Sequence, residues 1–457
     1  MPSVADRQKQ ISKKLGALAP RDLKALGKQV AATSVEREMT YTSDDGKTQI
    51  MPILLAPALL SRADAKYLHA LVLTFYSAVR KTAAARLTDP AVREILPLGE
   101  REEEWLRLSP QVPAPIIGRF DMNVDPAVGA RGAQLLEFNG CAIGGLHYGP
   151  AASATVLERV APLDPSANVA MPGSMTDAWL DHCRTHTRSL GYAGDRLHVV
   201  WLEDRAWETG ITEGPTLVDK LRREGHKAAV CDPRDLALVD GQIHHDGERV
   251  DICYRAIELR DLLAIEDETG PLTVLREAVK RNLVLSPLEG DLDHKSLLEV
   301  WSSKRFAKLF TPAERRALAR HVLWTRLLTQ RRSDGFDGKQ VDLPAYVTKQ
   351  RTKLVLKPIR ACGGEGILIG KDTSQTAWNR AIARSVSGKE PAVVQRYIKS
   401  AMIDSPVVRG ARIAHERHFT TFGLYASEAT LGFLGRAAPF PVVNVSRGGG
   451  IVGVLIV

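Results

Sequence analysis

Residues 354–370 read LVLKPIRACGGEGILIG. An apolar strand runs into Lys357, a glycine-bearing turn follows, and a second apolar strand closes the segment. A lysine at the end of a strand, beside a loop whose backbone can approach a ligand closely, suits polyphosphate binding. On strand and turn signals alone, an ordinary hairpin explains the stretch equally well.

A second stretch lies far upstream, Leu135-Leu-Glu-Phe-Asn139. Glu137 and Asn139 are two apart on an expected strand, so their side chains share one face. Both offer hard oxygen ligands. Magnesium bridged to nucleotide phosphates takes few protein ligands and fills its shell with phosphate and water oxygens. The simpler alternative is a polar strand end with a turn asparagine. Arg119 and Asp121 repeat the spacing on the preceding strand, Ile116–Asn123. They suit a substrate carboxylate or a cationic partner. They also suit a cross-strand ion pair, worth up to ~1 kcal/mol if exposed. Lys357, Glu137 and Asn139 together point to an ATP- and magnesium-dependent enzyme.

Composition excludes several classes. The chain has 457 residues, enough for about three domains. No apolar run reaches the roughly 18 residues of a membrane helix. Residues 1–15 are polar and mixed in charge, which leaves cytoplasmic residence as the expectation. The five cysteines, at 141, 183, 231, 253 and 362, form no CxxC pair, which argues against a disulfide framework or a cysteine zinc site. The net charge of +9 is dispersed, without a long basic run interleaved with aromatics, so nucleic-acid binding is not expected. Walker A, GxGxxG and GxSxG patterns are absent, which disfavours a P-loop, a simple dinucleotide site and a serine-hydrolase elbow.

Along the chain, residues 1–114 read as mainly helical, with helical spacing over 63–80 and a capping Asp89 before Pro90. Residues 115–190 begin with paired strands at 116–123 and 133–138, then a loop at 139–145 and a helix near 176–190. Residues 191–290 alternate strand, helix, strand, with strands at 197–202, 227–231 and 250–255, which suggests a small parallel α/β unit. Residues 291–457 start with helices at 295–301 and 312–330 and a loop at 331–338. A β-rich part then begins near Lys353. The fold class is mixed α+β and α/β.

Within that last part, Gly363, Gly364 and Gly366 suit a backbone cover over phosphates. Gln395-Arg-Tyr-Ile398 closes an apolar run and suits contact with an adenine edge through backbone groups. Arg436, with the glycine-rich stretch 444–450, suits neutralising a reaction intermediate and closing the site. A hairpin turn with surface arginines is the alternative. His182 and His186 are four apart on a helix, and His415-Glu-Arg-His418 is a second pair. Neither has the surroundings of a zinc motif.

In order, these segments resemble the circularly permuted ATP-grasp proteins, the group of glutathionylspermidine synthase-like enzymes, with a layout similar to eukaryotic glutathione synthetase. The resemblance rests on Arg119-Phe-Asp121 and Glu137-Phe-Asn139 coming early, where ordinary ATP-grasp enzymes place Glu-x-Asn last. It further rests on 250–255, 293–298, Val355-Leu-Lys-Pro358, 393–398, Arg436 and 448–450 following in sequence, and it spans about 115–457.

The resemblance implies a permuted ATP-grasp fold with a helical N-terminal region and an inserted Rossmann-like substrate subdomain. It implies ATP- and Mg2+-dependent ligation of a small-molecule carboxylate to an amine through an acyl phosphate. Lys295 and Lys357 would bind phosphates under Gly363, Gly364 and Gly366. Gln395 and Ile398 would border the adenine, and Glu137 and Asn139 would hold magnesium. Arg119, Arg255 and Arg436 would bind the carboxylate and the intermediate, and Asp121 would belong with them to the catalytic set. Where the glutathione synthetases carry a third acidic ligand just after Lys-Pro, this chain has Arg360-Ala361. Glu365 is the nearest acid for that role. A phosphotransferase, or a non-catalytic ATP-binding protein on the same fold, are the alternatives.

Overall fold

Strand Arg119–Asn123 runs antiparallel to Gln134–Asn139 on one side and to Arg412–Ala426 on the other. Segments separated by about 300 residues are thus joined in one antiparallel sheet. Its order continues through Leu431–Ala438 to Gly450–Val452, and Met402–Arg409 also pairs with the long strand 412–426. The structure is a computed structural model. It describes the chain except residues 1–2, 44–45, 111–113, 193, 207–212, 293, 362, 410–411 and 446–447.

One face of this sheet packs on the helix Arg62–Thr88. Ser61 caps that helix by accepting from the Asp64 N–H. Leu68, Leu71, Val72, Phe75 and Val79 recur on one side at helical spacing and are buried. Phe75 meets Phe120 from the sheet at 5.2 Å between ring centroids, and Phe120 stacks on Phe138 at 4.8 Å. This aromatic layer fixes the alternate face of strands 119–123 and 134–139, and so aims Arg119, Asp121, Glu137 and Asn139 the other way.

A second sheet is wholly parallel, in the order Val284–Leu285, Ile252–Arg255, His198–Leu202, Lys227–Cys231. Helix Gly214–Arg223 connects the strands 198–202 and 227–231, and helices Leu259–Thr269 and Thr273–Lys280 lead to 284–285. All five residues of 198–202 are buried, the continuous burial of a strand covered on both faces. One face of this parallel sheet packs in a core that includes Val200, Leu202, Cys253, Leu262 and Leu275 with Trp105 and Leu106.

The Lys357 strand, Leu354–Pro358, lies in a third sheet, ordered Thr325–Leu327, Ala392–Arg396, Leu354–Pro358, Leu368–Ile369. Helices Leu343–Lys349 and Gln375–Val386 cover one face, burying Val347, Leu356, Trp378, Ile382 and Val394 together.

Three expectations need correction. The helix expected to reach 330 ends at His321, and Thr325–Leu327 is a strand against Val393–Gln395. The run Val322-Leu-Trp-Thr325, rich in β-branched and aromatic residues, favours that sheet pairing over a helix. Residues 331–338 form a hairpin, Arg332–Asp334 with Gln340–Asp342, rather than an open loop. Helix Tyr148–Arg159, absent from the sequence reading, follows the loop 139–145. The described cysteines 141, 183, 231 and 253 are buried thiols not joined in disulfides, and Cys362 lies outside the described residues. Among the described residues no helix is long and apolar enough to cross a membrane.

Candidate functional site

The first and third sheets meet at the carbonyl of Leu136. Lys357 Nζ donates to it at 3.0 Å and Gln395 Nε2 at 3.3 Å. Gln395 also donates to Thr325 Oγ1 at 3.2 Å, so four strands are tied together here. Around this junction opens a cleft of about 350 Å3. Its polar walls include Arg119, Asp121, Glu137, Asn139, Lys295, Lys357 and Arg436.

Lys357 is only 8% exposed. Burial pushes its pKa down to about 8, with Glu137 opposing the shift and Lys295 adding to it. Lys295 is held by its backbone N–H, which donates to Ile359 O at 3.0 Å. Its Nζ donates to Ala361 O at 2.8 Å and stands 3.7 Å from the Glu137 carboxylate. Two ammonium groups and one carboxylate thus share the floor of the cleft beside the glycine turn. Gly363, Gly364 and Gly366 all take the left-handed conformation, φ 64°, 74° and 67°, which residues with a Cβ adopt only under strain. Gly363 and Gly364 line the cleft. Gly366 instead packs on Pro358, where a Cβ would meet the ring at 2.7 Å.

The register pairs Arg119 with Asn139 and Asp121 with Glu137, placing the four side chains on one face. Asp121, 1% exposed, is the hub. Arg119 Nε donates to one carboxylate oxygen at 2.8 Å and Arg119 Nη2 to the other at 3.2 Å. Arg436 Nη2 approaches at 2.6 Å, and Asn139 Nδ2 donates at 3.0 Å. Burial alone would raise the Asp121 pKa. The Arg119 and Arg436 guanidiniums outweigh it and hold the group well below the ordinary carboxylate range. Arg119 lies across Gly423, where a Cβ would meet its Cδ at 2.4 Å, so that position must lack a side chain.

With its amide nitrogen donating to Asp121, Asn139 keeps its amide oxygen available as a metal ligand, and Glu137 lies two residues away on the same strand face. That pair fits a magnesium ion held mainly by phosphate and water oxygens. Glu365 is exposed and lies outside the residues lining the cleft, so it does not complete a metal site there. No cluster of three His, Cys, Asp or Glu suited to a metal occurs among the described residues.

The cleft lining also includes an apolar slot made by Leu136, Leu323, Val355, Ile367, Ile369 and Ile398. Arg396, Tyr397 and Ile398 run along its rim, with the Arg396 N–H donated to Trp324 O and the Tyr397 N–H to Lys353 O. The cleft thus sets apolar side chains beside a cationic floor.

Arg255 stands apart from the expected set. It is fully buried, outside the cleft lining, and bonds Ser286 O, Ile257 O, Pro287 O and both oxygens of Asp291. Its role is to clamp the end of the parallel sheet to the segment 286–291. The first histidine pair is also structural: His182 shares a 2.6 Å hydrogen bond with the Tyr425 hydroxyl, and His186 one with Asn282 O. Of the expected closing loop, residues 446 and 447 lie outside the described residues, as does Asp293.

Two residues that sequence reasoning passed over shape the site. Glu213 accepts from the backbone N–H groups of Gly145, Leu146, His147 and Tyr148, at 2.6–3.2 Å, at the start of helix Tyr148–Arg159. This fixes the loop whose Gly144 carbonyl accepts from Arg119 Nη1 at 2.6 Å. Glu102, from helix Glu100–Leu106, pairs with Arg360 of the glycine turn. Neither carries a local signal, because the partner of each is distant in sequence.

No protein-family model matches the chain, and no curated protein matches it by sequence. Among solved structures, a glutathione synthetase-like effector from Globodera pallida, determined in the apo form, is similar over 96% of this chain and 98% of its own, with a TM-score of 0.68 and 12% identity. The likeness shows that this chain has a mixed α/β, glutathione synthetase-like fold.

Proposed function

We propose that the cleft binds ATP with magnesium and that the protein ligates a carboxylate to an amine through an acyl phosphate. The observation that carries this reading is the convergence of Lys357 and Gln395 on the Leu136 carbonyl, next to Lys295 and Glu137. It sets a cationic floor and two oxygen ligands against an apolar slot. The chain order supports a circularly permuted ATP-grasp reading, since Glu137-x-Asn139 precedes the Lys357 strand. The parallel sheet within 191–290 then serves as the substrate subdomain. Cytoplasmic residence remains part of the same reading.

Lys295 and Lys357 neutralise charge on the transferring phosphoryl group. Magnesium, when held by Glu137 and Asn139, adds to that neutralisation. Arg436 and Arg119 orient the incoming carboxylate, with Asp121 fixing both guanidiniums. Attack of the carboxylate on the γ-phosphorus releases ADP, and attack of the amine on the acyl carbon releases phosphate. Alignment of the two substrates supplies several kcal/mol of the acceleration.

A second reading, ATP binding without turnover, has its own support. Asp121 already engages both arginines, and Glu365 stands away from the cleft. The readings separate in one assay. Ligation predicts ADP and phosphate release only when acid and amine pools are both present. Binding alone predicts a raised melting temperature with Mg-ATP and no release with any pool.

A further inference from the structure

The corner of the cleft at the glycine turn carries an arginine that the ligation chemistry leaves unused. Arg360 comes two residues after Pro358, and its Nη1 donates to Glu102 Oε1. Both residues line the cleft. The Arg360 side chain keeps 30% of its surface exposed and Glu102 12%, so the guanidinium is reachable from the cleft while paired.

This arginine shares its corner with a phosphate-binding candidate. Lys295 donates to the carbonyl of Ala361, next in the chain, and its backbone N–H to that of Ile359, just before. The neighbouring His294 is kept neutral, its pKa pushed down to about 3 by burial and then by the charges of Arg360 and Lys295.

The two partners are anchored differently. Glu102 Oε2 accepts from the Gly99 N–H at 2.6 Å, closing a capping box, so its position is set by helix Glu100–Leu106. Arg360 is carried by the turn that holds the left-handed glycines.

We propose that Arg360 is a polyphosphate-binding side chain, held by Glu102 until a nucleotide binds, and that this pair makes the cleft discriminate nucleotides by the length of their phosphate chain. The inference rests on the nucleotide reading above. A guanidinium fork matches a terminal phosphate bidentately, as it matches a carboxylate, and the doubly charged phosphate outcompetes the single charge of Glu102. The positive charge of Arg360 adds to those of Lys295 and Lys357 at the same cleft. Nucleotides lacking the outer phosphates gain nothing from the exchange.

Calorimetry of ATP, ADP and AMP with magnesium tests this on the wild-type chain and on Arg360→Ala, Arg360→Lys and Glu102→Gln. Gln at 102 still accepts from Gly99 N–H, so the helix cap survives while the charge is removed. Arg360→Ala is expected to weaken ATP about tenfold with AMP within twofold. Arg360→Lys should recover part of the loss. Glu102→Gln should tighten ATP about two- to fivefold, the strength of a partly exposed ion pair released. Equal losses for ATP and AMP in Arg360→Ala would overturn the proposal. So would a Glu102→Gln variant that weakens ATP as Arg360→Ala does, since the pair would then be a structural brace. A wild-type protein that binds none of the three removes the nucleotide reading itself, and this inference with it.

Discussion

The Lys357 ammonium donates a 3.0 Å hydrogen bond to the carbonyl of Leu136, 221 residues earlier in the chain. This bond joins two sheets across a cleft, and it holds a cation in a place where burial disfavours charge.

One consequence is a pH signature. Burial lowers the Lys357 pKa to about 8 from the ordinary 10.5. The folded protein therefore loses this proton before the unfolded chain does, and the burden of the buried ammonium is relieved as pH rises from about 8 to 10.5. Polyphosphate binding restores the charge. Calorimetry at pH 8.5 in buffers of different ionisation enthalpy should show net proton uptake on ATP binding, absent in Lys357→Met. The same variant should melt a few degrees higher at pH 7, because a buried charge is replaced by an apolar chain of similar length.

Asp121→Asn removes the carboxylate that Arg119 and Arg436 share. Breaking such a buried pair by deleting one partner costs about 3–5 kcal/mol, measured by chemical denaturation at pH 7. The folded-state pKa of Asp121 is depressed. Its contribution is therefore complete above the ordinary carboxylate range and fades as pH falls below about 4. The difference between wild type and variant should shrink over that acid window only.

Gly423→Ala inserts a methyl group 2.4 Å from Arg119 Cδ. The clash pushes Arg119 off Asp121, and a stability loss of about 1–3 kcal/mol is expected. A variant as stable as wild type would mean that Arg119 has another rotamer of equal energy.

Arg255→Met separates a structural arginine from a binding one. Loss of the clamp on Asp291 and the carbonyls of Ser286, Ile257 and Pro287 should lower the melting temperature by several degrees. ATP affinity in the folded variant should stay within twofold. A tenfold loss of affinity at unchanged stability would return Arg255 to the site.

Much of this arrangement is visible in local sequence. Spacing by two on strands forces Arg119 with Asp121, and Glu137 with Asn139, onto shared faces. The glycines after Lys357 announce a left-handed turn. The parallel unit is legible because its strands are continuous apolar runs between an amphipathic helix and turn signals. What escaped depends on partners far away. Arg255 reads from sequence as a substrate arginine, and only the position of Asp291 shows that its fork is filled. Thr325–Leu327 has β-favouring residues just before it, but the strand is settled by Val393–Gln395 lying beside it. Glu102, Glu213 and Gly423 have no local mark at all, since each is defined by a side chain or loop that folding brings to it.

The account turns on whether the cleft is a nucleotide site built around Lys357. Isothermal titration of Mg-ATP into the wild-type protein and into folded Lys357→Met measures this directly. The prediction is one saturable, magnesium-dependent site in the wild type and at least a tenfold weaker one in the variant. No binding to the wild type, or equal affinity in the two proteins, would contradict it.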